Sequence, residues 1–112
     1  MTCAPLNTLE RAGWAVIAAE RFGLHSGEAA VLREMALAGG RFVSPDHLAA
    51  QLRGSEATMA ARLRVSCRIG RIRAALEDMG LPRCAIENER NVGYALAPHH
   101  ARQVRAIVEA GA

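Results

Sequence analysis

Between Asn7 and about Phe22 the apolar residues Leu9, Val16 and Ile17 recur at helical spacing with Trp14 alongside, which predicts an amphipathic helix weakened by Gly13. The stretch FGLHSGE breaks the pattern. His25 or Ser26 then caps a second helix, with Glu28 in its first turn, where a negative charge suits the helix dipole. That helix continues through Val31, Leu32, Met35 and Ala36 and stops at Gly39-Gly40. In RFVSPDHLAAQLRG, Arg41 to Val43 read as extended, Ser44 as an N-cap and Pro45 as the first helical residue, with Asp46 complementing the dipole. Leu48 and Leu52 give this short helix a buried side before Gly54 ends it.

A long helix is predicted over about Ala57 to Met79, because Val65, Ile69, Ile72, Leu76 and Met79 form one continuous apolar seam. Gly80 stops it. Cys84 to Glu87 and Val92 to Leu96 are short strand candidates, with Glu89-Arg90-Asn91 as the hairpin tip. After Pro98, Val104, Ile107 and Val108 share one side of a final helix. The expected fold is therefore mainly α with a small β-hairpin, without internal repeats or linkers.

Charge sharpens this picture at one place. The stretch RLRVSCRIGRIR, Arg62 to Arg73, holds five arginines and no acid. Residues 1–56 carry five Arg against six acids, and residues 57–112 carry nine against five. At about 100° per residue, Arg64, Arg68 and Arg71 form a stripe beside the apolar seam, with Arg62 and Arg73 on the opposite flank. Between these edges lie the small residues Ser66, Cys67, Gly70 and Ala74. Small side chains bordered by arginines suit a helix pressed into a groove walled by phosphates, so the counter-charge is expected from outside the chain.

Composition sets the remaining bounds. A chain of 112 residues, half of them apolar, is long enough for one folded domain. No apolar run approaches the roughly 18 residues that cross a bilayer, and MTCAPLNTLE lacks the features of a signal peptide, so a cytoplasmic location and no membrane partner are expected. Cys3, Cys67 and Cys84 have no metal-ligand spacing and read as reduced thiols. His99-His100 begins a helix without a third ligand nearby. No nucleophile–base pair, phosphate loop or carboxylate dyad is visible, so neither an enzyme nor a metal or other cofactor is expected.

Four segments carry a resemblance. LHSGEAAVL resembles the L-T-P-x-E-x-x-L-L opening of the bacterial response-regulator effector domain, the OmpR/PhoB type. GGRFVSPDHLAAQLRG is similar to that family's G-R-x-V-S-R-E-x-L-L-x-x-L-W-G segment, with Arg53 where Trp is usual. RVSCRIGRIRAAL resembles its recognition helix, T-V-D-V-H-I-S-R-L-R-K-K-L, and ENERNVGYAL its T-V-R-G-V-G-Y-R-L wing. The resemblance covers about residues 24–97 and implies a winged helix-turn-helix DNA-binding domain. It would be flanked by an N-terminal helical extension (1–23) and a C-terminal helix (98–112). A single helix is expected where the family carries a receiver domain and a small sheet, so control by phosphorylation is not carried over.

The resemblance places Arg71 and Arg73 at the R-x-R positions of the recognition helix and Arg90 at the minor-groove arginine of the wing. Arg64 stands where the family has Thr, Arg68 where it has His, Ser66 where it has Asp, and Asn91 where it has the wing's first Gly. The implied function is a sequence-specific transcription regulator bound to double-stranded DNA in the nucleoid. The helix of about 57–79 would lie in the major groove and the wing of 88–92 in the minor groove. Arg62, Arg64, Ser66, Cys67, Arg68, Arg71, Arg73, Arg90 and Asn91 are the expected contact residues. The alternative is a protein-interaction module docking on RNA polymerase or another regulator through the segment from Gly54 to Ala61. A homodimer through the N-terminal helix would supply a second half-site.

Overall fold

A computed structural model of the chain describes residues 6–52 and 59–110. It is mainly helical with one small antiparallel hairpin. The elements are α1 (Thr8–Phe22), α2 (Ser26–Ala38), α3 (Pro45–Ala49), α4 (Met59–Asp78), a 3-10 turn (Arg83–Ala85), β1 (Ile86–Glu89), β2 (Gly93–Leu96) and α5 (Pro98–Glu109). Arg53, Gly54 and Ala57, which entered the expectations above, lie outside the described residues, as does Cys3.

Local chemistry explains the helix boundaries. Asn7 Oδ1 accepts the Glu10 N–H at 2.8 Å while Glu10 Oε1 accepts the Asn7 N–H at 3.1 Å, a reciprocal cap on α1. Glu28 Oε1 likewise accepts the His25 N–H at the start of α2. Ser44 Oγ accepts the His47 N–H at 3.1 Å, and Pro45 opens α3.

One core runs through all five helices. α2 lies at its centre, with Ala29, Val31, Leu32, Met35 and Ala36 buried. α4 contributes Ala61, Val65, Ile69, Ile72 and Leu76, and α5 contributes Ala101, Val104 and Val108. The expected α4 seam is therefore present except at Met79, which is exposed because the helix ends at Asp78. α1 turns a different face inward than expected. Trp14, Ala18 and Phe22 are buried with Ile17 packed beside them, whereas Leu9 is 82% and Val16 67% exposed. Trp14 is thus a core residue, and its indole Nε1 donates to Glu109 on α5 at 3.4 Å.

The hairpin pairs Ile86 with Leu96 and Glu89 with Gly93, so its first strand starts two residues later than expected. Cys84 belongs to the preceding 3-10 turn, and the tip is Arg90 to Val92. A third backbone segment joins it. Val43 and Tyr94 exchange N–H···O bonds of 2.8 and 3.0 Å. Gly93 makes this approach possible, since a Cβ there would sit 1.9 Å from the Val43 carbonyl oxygen. No helix among the described residues is long and apolar enough to cross a membrane.

Glu34 on α2 ties three helices together. Its carboxylate, with only 5% of the side chain exposed, accepts from Arg33 Nε at 2.8 Å, from His47 Nε2 on α3 at 2.8 Å and from Arg11 on α1. Arg33 extends the knot to the Arg11 carbonyl and to Gln51 Oε1. Burial alone would raise the Glu34 pKa. The hydrogen bonds from Arg33 and His47 and the charges of Arg11 and Arg33 outweigh it, so the pKa lies below its ordinary 4.5. A depressed pKa stabilises the fold fully above that ordinary value, and the contribution disappears as pH falls through the folded value. Glu34→Gln is expected to cost about 3 kcal/mol at pH 7, because Arg11 and Arg33 are left without their anion. Denaturant titrations of both proteins from pH 7 to pH 3 check this: the difference should shrink as the pH drops below about 4.5.

Candidate nucleic-acid interface

The helical repeat of α4 carries its five arginines to the two flanks of its outer face, as expected. What they touch is different. On one flank Arg62 reaches α3 and pairs with Asp46 at two points, Nε to Oδ1 at 2.9 Å and Nη2 to Oδ2 at 3.0 Å. The hydrogen bond from Arg62 lowers the Asp46 pKa, and the same bond raises that of Arg62. This pair is solvent-exposed, so it orients the two side chains more than it stabilises the fold. Arg73 Nη2 donates to the Ile86 carbonyl at 3.1 Å and fastens α4 to the first strand.

On the other flank Arg64, Arg68 and Arg71 line a groove shared with Ala12, Ala15 and Val16 of α1 and the first turn of α2. Its volume is about 1390 Å³, and it is open to solvent. Here the expectation that the counter-charge comes from outside the chain is corrected in part. Glu28 of α2 is a buried carboxylate, 3% exposed, whose Oε2 accepts from Arg68 Nη1 at 3.2 Å and Arg71 Nη1 at 3.5 Å. Arg71 remains 61% exposed and Arg68 36%. Arg64 is exposed, with no hydrogen bond or ion pair among the described residues. Two carboxylates, Asp46 and Glu28, thus face five guanidiniums, leaving a surplus of three positive charges among the described residues.

Ser66, Cys67, Gly70 and Ala74 lie exposed between the flanks, and Leu63 continues the same face. Leu63 was missed by the sequence reading, although its spacing of four and seven residues from Cys67 and Gly70 marks that face. Glu28 and Asp46 were read only as helix-dipole partners. Their bonds to α4 span 40 and 16 residues in sequence and follow from packing.

At the hairpin tip Arg90 is exposed, and Asn91 adopts the left-handed conformation, φ 66°. Asn tolerates that region better than most side chains. Glu87 and Glu89 are exposed on the adjoining strand and partly offset the Arg90 charge. The hairpin is therefore less basic than α4. The His99 and His100 rings stack edge-on at 4.8 Å, and no cluster of three or more metal-ligating side chains occurs among the described residues.

No family model, curated protein or solved structure matches this chain.

Gly70 lies inside α4 on its exposed face. A Cβ at Gly70 would meet nothing within 4 Å. Glycine in a helix interior costs up to about 1 kcal/mol relative to alanine. Gly70→Ala is therefore expected to raise unfolding stability by about 0.5–1 kcal/mol, measured by urea denaturation of the intact chain. A loss of stability would assign Gly70 a role inside the fold.

Proposed function

We propose that the chain is a sequence-specific regulator of transcription that binds double-stranded DNA as a winged helix-turn-helix. In this reading α4 enters the major groove and the Arg90–Asn91 turn reaches the adjacent minor groove. The observation that carries it is the outer face of α4: Ser66, Cys67, Gly70 and Ala74, continued by Leu63 and bordered by guanidiniums, with three positive charges in surplus among the described residues. The order α2, α3, α4, hairpin and the four motif resemblances support the same reading. So does the Val43–Tyr94 bridge, which seats the hairpin against the segment between α2 and α3.

The physical roles differ along the helix. Arg64 is placed to neutralise a phosphate and release counterions. Arg68 and Arg71 are forked donors suited to guanine O6 and N7, while Ser66 can bond a base edge and Cys67 and Ala74 can pack on thymine methyls. Gly70 keeps the middle of this face low enough for close approach. Arg73 is already bonded to the Ile86 carbonyl and serves chiefly to fix α4, while the exposed Arg62–Asp46 pair can exchange onto a phosphate at small cost. The segment on which a polymerase-docking alternative depends lies mostly outside the described residues. Any twofold pairing through α1 would use Leu9 and Val16, because Trp14 is buried.

Selection of bound sequences from a random duplex pool tests the reading directly, and failure to enrich any sequence would remove it. On the enriched site, Arg68→Ala and Arg71→Ala are each expected to cost about 1–3 kcal/mol of binding. Arg64→Ala should weaken binding to all sequences alike and reduce the salt slope by about one. Arg90→Ala should weaken A·T-flanked sites more than G·C-flanked ones, since a narrow minor groove concentrates negative potential. Two duplexes differing only in the flank measure this, and equal losses would exclude minor-groove insertion.

A further inference from the structure

We propose that Glu28 is a positioning residue for DNA discrimination, holding Arg68 in a fixed pose while leaving Arg71 free to exchange onto DNA. The inference rests on the DNA reading above and deepens it. Glu28 has only 3% of its side chain exposed, so its carboxylate is held within the packing of α2 against α4. Both of its oxygens are engaged. Oε1 accepts the His25 N–H at 3.1 Å, which anchors the carboxylate to the start of α2. Oε2 is shared by the two arginines at unequal distances, 3.2 Å to Arg68 and 3.5 Å to Arg71.

That inequality separates their roles. Arg68 is the closer and less exposed of the two, and it makes this contact through Nη1, so its other guanidinium N–H groups remain to be aimed by the bond. Arg71 sits at the limit of a hydrogen bond and is mostly in solvent. An incoming phosphate or guanine can therefore draw Arg71 away while Arg68 stays on Glu28. A guanidinium fixed before binding loses less rotamer freedom on binding, and it punishes a base whose acceptors are misplaced. Glu28 also places a negative charge close behind the DNA-facing surface, which weakens attraction to any duplex regardless of sequence. The two effects act in opposite directions on affinity and in the same direction on selectivity.

The test uses the intact chain, the duplex enriched by selection and a scrambled duplex of equal length. Glu28→Gln keeps an amide oxygen for the His25 N–H and can preserve the cap. Its affinity for the scrambled duplex is expected to hold or rise, while its preference for the selected duplex falls about tenfold. In an Arg68→Ala background the same substitution should change that preference little, and in an Arg71→Ala background it should still lower it. If Glu28→Gln does not fold, Glu28→Asp keeps the charge but draws the carboxylate back from Arg68, so preference should fall while binding to scrambled DNA is unchanged. An unchanged preference, an equal loss on both duplexes, or a loss undiminished by Arg68→Ala would overturn the positioning role and leave DNA binding standing. A wild-type chain that binds neither duplex would remove both.

Discussion

Glu34 is a carboxylate almost wholly out of solvent, and the first three helices are arranged so that it stays charged. Removing such a group from water costs several kcal/mol unless donors surround it. Here the donors come from three places in the chain: Arg11 on α1, Arg33 beside Glu34 itself, and His47 on α3. Apolar packing tolerates sliding and rotation more readily than a multidentate ion pair, because a hydrogen-bonded charge fixes both distance and direction. α1 is therefore built into the fold, with Trp14 and Phe22 in the common core and Arg11 in the polar knot. α3 is held at its N-terminal turn by two adjacent side chains, His47 toward α2 and Asp46 toward Arg62 of α4.

α2 carries a second buried acid, Glu28, and the two serve different ends. Glu34 sits in a set of donors that gather on it from neighbouring elements, and it organises the scaffold. Glu28 meets two arginines whose guanidiniums are still partly in solvent. A helix otherwise packed through Ala29, Val31, Leu32, Met35 and Ala36 thereby links the interior to the basic face. Neither acid leaves a buried side-chain polar atom without a partner among the described residues.

How far these features were legible in sequence depends on contrast and on range. The α4 seam and the Val104–Val108 side of α5 were readable because bulky apolar residues alternate there with charged ones. α1 misled because its inward face is partly alanine. Ala15, Ala18 and Ala19 offer little hydrophobic contrast, so the bulkier Leu9 and Val16 drew the assignment, although they project outward. Met79 continued a periodic pattern past the point where the helix ends, just before the positive-φ Gly80. The arginine cluster was visible as composition. Its acceptors were not, because Glu28 and the Ile86 carbonyl meet α4 only after the chain has packed. Local patterning reports which face a side chain occupies and is silent about partners 40 residues away.

Those acceptors grade the five arginines. Arg62 is held at two points by Asp46, and Arg73 by a backbone carbonyl. Arg68 shares a buried carboxylate oxygen with the more distant and more exposed Arg71. Arg64 has no acceptor among the described residues. An external anion gains from each arginine only the difference between its own interaction and the one it displaces. Arg64 can therefore respond to any phosphate, and Arg71 can respond at the small cost of a marginal contact. Arg73 responds least, since leaving the Ile86 carbonyl would loosen the hairpin from α4, whereas the solvent-exposed Arg62–Asp46 pair yields at small cost. Five like charges in one stretch of sequence thus become a surface with an order of engagement, imposed by acceptors that lie elsewhere in the chain.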